Sequence, residues 1–150
     1  MKIYSELKLR QGFGLQKRLH ELEQQFLAGQ ISRVEAVEKF KLEWESLLDL
    51  RQWCAENEND IRAAMLLSKL AGVAGNLSFA ALSVPEQIEW RECGYLAAQR
   101  AELVHDEMGH GAQLAYLHFV TGNVAAAHKV LDDLLARNDR LLESPGDARH

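Results

Sequence analysis

Apolar residues recur at helical spacing over most of this chain. Leu15, Leu19, Leu22 and Phe26 fall at alternating four- and three-residue steps, a coiled-coil-like seam that predicts a first helix from about Phe13 to Ala28. Gly29 supplies a C-terminal stop. Directly after it, Ser32-Arg33-Val34-Glu35 has the form of a capping box, with Ile31 and Ala36 at the flanking staple positions. The two helices meeting at this turn are expected to form an antiparallel hairpin. The second is predicted to run from about Arg33 to Ala55, with Val37, Phe40, Trp44, Leu47, Leu48 and Trp53 facing inward and Glu35, Lys39, Lys41, Glu45, Asp49 and Arg51 facing water. A third helix is predicted over Ile61 to Ala74, and Leu77–Leu82 reads equally as loop or helical turn. Ser83-Val84-Pro85-Glu86 is a second capping box, with proline in the first turn, where its missing N–H costs nothing. The helix it starts is expected to reach about Val104. Its Gly94, Ala97, Ala98 and Ala101 permit close helix approach.

Two further helical patterns are joined by Gly122-Asn123. The first (Ala112, Leu114, Ala115, Tyr116, Leu117, Phe119, Val120) is apolar nearly all round, so it is expected to have protein on more than one side. The second (Ala127, Val130, Leu131, Leu134, Leu135, Leu141) is apolar on one face. The expected fold is therefore all-α, with about six antiparallel helices in a single domain over residues 1–150. Residues 2–10 stand apart. Ile3, Ser5, Leu7 and Leu9 alternate with Lys2, Tyr4, Glu6, Lys8 and Arg10 in the period of a strand, with no second strand to pair with. That leaves a helix lead-in, a mobile basic arm over residues 1–12, or a strand that pairs with another chain. Gly12 and Gly14 are expected to loosen the backbone beyond residue 10. Residues 144–150 are polar and expected to be a disordered tail.

Composition narrows the class. The chain is 47% hydrophobic and 26% charged, values of a folded globular protein rather than a disordered one. The net charge of −5 argues against nucleic acid as a partner for the whole surface. Met1–Leu7 lacks the apolar core of a secretion signal and no run approaches a membrane span, so a cytoplasmic protein with no membrane partner is expected. Cys54 and Cys93 then read as two reduced, packed thiols.

The Gly122-Asn123 hairpin resembles a tetratricopeptide-type repeat. With Gly122-Asn123 in the place of the family's Gly-Asp turn, Leu114, Ala115, Ala127 and Leu131 fall on patterned positions, and Leu134 takes the next, where the family prefers alanine. Gly111 stands at the early aromatic position, and no proline ends the last helix. Leu67, Gly75-Asn76 and Ala80 carry a fainter copy, so the likeness spans about residues 61–142. Repeats of this type need neighbours to bury their faces, and the hairpin over residues 13–55 is placed to cap them. The resemblance implies stacked helix pairs after the N-terminal hairpin and a scaffold whose first helices line a groove. On that mapping Met65, Lys69, Tyr116 and Phe119 face a protein partner. The implied function is non-catalytic: an adaptor, regulator or small subunit of a larger assembly, without a cofactor. The leucine seam of the first helix is a further expected contact, for self-association.

The competing expectation is a metal-dependent all-α nucleotide hydrolase using acidic and histidine groups near residues 102–110. His105, His110, His118 and His128 cluster in sequence, but His105 and His110 are five apart, not the four that stack two imidazoles on one helix face. Only a chain break at Gly109 would let His105, Asp106 and His110 converge. Glu107-Met108-Gly109-His110 is comparable with the acidic motif of all-α nucleotide pyrophosphohydrolases, which gather carboxylates around magnesium; His110 stands where that motif has aspartate. Glu35 and Glu38 would be the upstream pair, with Glu102, Asp106 and Glu107 as the rest. No nucleophile context or phosphate-cradling glycine loop is present.

Overall fold

The computed structural model describes residues 2–142, and the expected tail at 144–150 lies outside them. The described residues form eight helices: α1 (Lys2–Leu27), α2 (Arg33–Leu42), α3 (Trp44–Glu56), α4 (Ile61–Val73), α5 (Gly75–Ala81), α6 (Val84–Arg100), α7 (Val104–Val120) and α8 (Val124–Leu142). The all-α expectation holds, with eight helices in place of about six.

The extra helices arise at identifiable breaks. The predicted second helix divides at Glu43, whose N–H turns back to Phe40 O at 3.0 Å and whose carboxylate pairs with Arg18 at 2.9 Å. The break sets Trp44 between Phe40 and Trp90, with ring centroids 6.1 and 5.9 Å away. The ambiguous stretch around Leu77 folds as α5, whose Asn76 and Leu77 N–H groups donate to the Glu23 carboxylate at 2.9 and 3.0 Å. The helix expected to reach Val104 ends at Arg100. There Glu102 N–H donates to Gln99 O, Leu103 N–H donates to Ala98 O, and Glu102 takes φ +57°. This is a Schellman end with a glutamate where glycine is usual.

The strand reading of residues 2–10 gives way to the first turns of α1. Gly12, expected to loosen the chain, instead lies at the α1–α4 crossing, where a Cβ would come within 2.3 Å of a Leu66 methyl. The seam expected to be available for self-association is spent inside the protein: Leu15, Leu19 and Leu22 are core residues. Of the two expected capping boxes, only that at Ser83 is complete. Ser32 Oγ accepts from Glu35 N–H at 3.1 Å, but the Glu35 side chain lies toward Lys39.

The main core joins α1 to α2, α3, α4, α5 and α6 through Leu15, Leu19, Phe40, Leu50, Leu66 and Trp90, among others. A smaller cluster of Tyr95, Leu114 and Leu134 ties α6, α7 and α8. From α4 onward the order of packing follows the chain, α4 on α6, α6 on α7 and α7 on α8, a repeat-like stack of neighbours. Among the described residues no single helix is long and apolar enough to cross a membrane; α4 and α5 have the composition only as a pair bent by 64°. Cys54 and Cys93 are unpaired, and burial pushes the Cys54 thiol up to about 12.

Candidate functional site

Two of the concave regions that result from this packing divide the residues expected to share one surface. The first is an apolar groove between α7 and α8. Gly122 at φ +84° and the bonds from Gly122 N–H to Phe119 O and Asn123 N–H to His118 O close α7 in a Schellman end. Asn123 Oδ1 then caps α8 through Ala126 N–H. The resulting hairpin aligns Ala112, Ala115 and Ala127 with the larger Tyr116, Phe119, Val124 and Leu131 around a groove of about 440 Å³, with His128 as its one imidazole. Tyr116 is 53% exposed and Phe119 64%. As expected, α7 has protein on more than one side, packing against both α6 and α8. Its remaining apolar face is open. The exposed apolar surface continues onto Val120 and Leu135.

The second region is a polar cavity of about 480 Å³ between α1, α4, α6 and α7, lined in part by Gln16, His20, Lys69, Arg91, His105 and Gln113. Its floor is His110, only 3% exposed. The ring fits there because α6 carries Gly94, where a Cβ would approach the imidazole to 3.0 Å and Ala71 Cβ to 2.5 Å. His110 Nε2–H donates to Ser68 O at 2.9 Å, while Nδ1 accepts from Arg91 Nη1 at 3.1 Å. Burial, reinforced by the charge of Arg91, brings the imidazole down to about 4, so it is neutral at physiological pH.

Ser68 Oγ lies 3.3 Å from His110 Nε2 and 3.0 Å from Asp106 Oδ2, which resembles a nucleophile with its base. The proton assignments exclude that chemistry. Nε2 carries its hydrogen toward a carbonyl, so it cannot take one from Ser68, and the Ser68 hydroxyl donates to Asp106 instead. Lys69 Nζ completes the cluster 3.0 Å from Asp106 Oδ2. Burial would raise the Asp106 carboxyl, but hydrogen bonds from Lys69 and Ser68 and the Lys69 charge outweigh it and hold the group below its usual range.

The arrangement that the competing metal reading needs does not form among the described residues. Helix α7 runs unbroken through Gly109, so His105 stays on the cavity rim while Asp106 and His110 are engaged in the bonds just described. Glu107 faces the other way, 4% exposed, in a two-pronged pair with Arg137 of α8 and within 3.4 Å of Gln99 Nε2. Among the described residues no three His, Cys, Asp or Glu side chains are placed to hold one ion.

Of the four expected partner-facing residues, Tyr116 and Phe119 line the apolar groove and Lys69 lines the polar cavity. Met65 is exposed on α4, one turn before Lys69, and lines neither. Residue-by-residue reading missed Arg91, Gln16, His20 and Gln113. For Arg91 a signal exists: it precedes Gly94 and Ala98 by three and seven positions, a charge on a stripe of small, buried residues. Compared with known protein families, curated proteins and solved structures, the chain matches none of them.

Proposed function

We propose that the chain is a non-catalytic protein–protein interaction module, built as a tetratricopeptide-like stack, that docks an apolar-faced helix of another protein in the α7–α8 groove. One observation carries this reading. Tyr116, Phe119 and Leu131 stand around a floor of alanines, and together with Val120, Val124 and Leu135 they form a continuous exposed apolar surface. Contiguous apolar surface of this kind marks interaction sites. Small residues between larger ones, spaced along two neighbouring helices, form the grooves into which the side-chain ridges of a third helix fit. The order α4, α6, α7, α8 supports the same reading, because each helix covers the one before it and, among the described residues, the last pair has its outer face uncovered.

The test compares wild-type bait with Leu131→Glu and Phe119→Glu in native extract, each first shown to melt like wild type. The reading expects the same bound protein to be lost from both variants, and a helical segment of that protein to bind purified wild-type chain by calorimetry. Identical captured proteins for all three baits would overturn it. A wild-type dimer in sedimentation velocity that dissociates in both variants would replace the foreign partner with a second copy.

A further inference from the structure

We propose that the polar cavity between α1, α4, α6 and α7 binds a small molecule through a phosphate or carboxylate group, with the Arg91 guanidinium as its anchor. The half-buried Arg91 donates to a neutral imidazole, and among the described residues no carboxylate reaches it at ion-pair distance. Glu23 attracts it only at longer range, and that carboxylate already accepts from two backbone N–H groups of α5. A charge drawn partly out of water without a counter-ion is costly to desolvate. The guanidinium fork matches an oxyanion, and Arg91 lines the cavity, with Nη1 on His110 and Nη2 toward Gly75 of α5.

The other lining groups suit the same ligand. Lys69 and Asp106 offset each other, leaving Arg91 as the uncompensated charge of the cavity. His20 and His105 line the mouth. Gln113 lines the cavity too, and its Nε2 is buried without a hydrogen-bond partner among the described residues. Gln16 adds an amide from α1. The volume of about 480 Å³ is that of a small-molecule site, and the floor is closed by His110. An interaction module with such a site would carry a small-molecule effector at a distance from its protein-docking groove.

Nuclear magnetic resonance on isotope-labelled full chain tests this with two probes, inorganic phosphate and acetate. The expected result is a saturable shift of the Arg91 Nε–H and Gln113 side-chain amide signals with at least one probe, and the tighter probe identifies the head group. Gly109 provides a variant that leaves the anchor intact: it lines the cavity, and a Cβ there meets nothing within 4 Å. Gly109→Leu should fill the mouth and weaken binding at least tenfold while α7 stays folded, and Arg91→Gln should abolish saturation. Leu131→Glu, in the apolar groove, should bind the probe like wild type, so failure of the docking reading and of this one are distinguishable. Linear shifts spread over surface lysines and arginines, or saturation unchanged in both cavity variants, would overturn the proposal.

Discussion

Breaking the Glu107–Arg137 pair from its two ends should have unequal consequences. Glu107 sits in the seam of α6, α7 and α8 at 4% exposure, whereas the Arg137 side chain is 35% exposed. Arg137→Met leaves a carboxylate in that seam with Gln99 as its remaining neighbour, at 3.4 Å. Removing one member of a buried pair costs about 3–5 kcal/mol; because water reaches this site from the Arg137 side, about 2–3 kcal/mol is expected. Glu107→Gln keeps the shape and leaves a cation able to turn to solvent, so about 1 kcal/mol is expected. The double variant should cost less than the sum, with a coupling of about 1–2 kcal/mol. Urea unfolding followed by far-ultraviolet circular dichroism measures all four corners of the cycle. In a chain of this size Arg137→Met should also lower Tm by roughly 4–12 °C. A cheaper Arg137→Met than Glu107→Gln, or additivity within about 0.5 kcal/mol, would refute the assignment of Glu107 as the buried, dependent partner.

Three further outcomes are expected from the geometry. His110 is held neutral, with its folded value of about 4 below the unfolded 6.5, so the unfolded chain binds the extra proton. This contribution is fully present above pH 6.5 and lost as pH falls to about 4, in total about 3 kcal/mol. His110→Gln, whose amide can donate to Ser68 O and accept from Arg91, should flatten that part of the stability–pH curve; an unchanged slope between pH 4 and 6.5 would refute it. Glu102→Gly relieves a left-handed glutamate at the end of α6 and should stabilise by about 1 kcal/mol in urea melts, whereas a loss would mean that the Glu102 side chain makes a compensating contact. Ser83→Ala, which breaks the complete capping box, should cost about 1 kcal/mol and more than Ser32→Ala, which loses a single cap bond; equal costs would contradict the difference between the two caps.

Features set by local chemistry were legible in the chain. Gly29, Gly122-Asn123 and the Ser83–Glu86 box each mark a helix end that forms where expected, because caps and left-handed turns depend on a few adjacent residues. Features set by distant contacts were not. The periodic pattern breaks at Glu43, where Arg18 pairs with the Glu43 carboxylate and the Trp90 ring packs on the neighbouring Trp44, and neither partner is near in sequence. The first turns of α1 were obscured by two glycines, although the buried row Leu9, Gly12, Leu15, Leu19 keeps helical spacing throughout. The site divides in the same way. Tyr116 and Phe119 were placed together only through the repeat mapping of a helix apolar nearly all round, while the cavity depends on His110 reaching Arg91 across 19 positions and Ser68 across 42.

A helix of another protein is proposed to dock in the Tyr116–Phe119–Leu131 groove. A photo-reactive benzoylphenylalanine at position 119 tests it most directly, against a control at Gln24, an exposed position of α1. Irradiation in native extract should give one dominant protein adduct at position 119, absent at position 24 and lost when Leu131→Glu is added, with the cross-linked peptide mapping to an apolar-faced helical segment. Adducts equal at the two positions, or insensitive to Leu131→Glu, would contradict the claim.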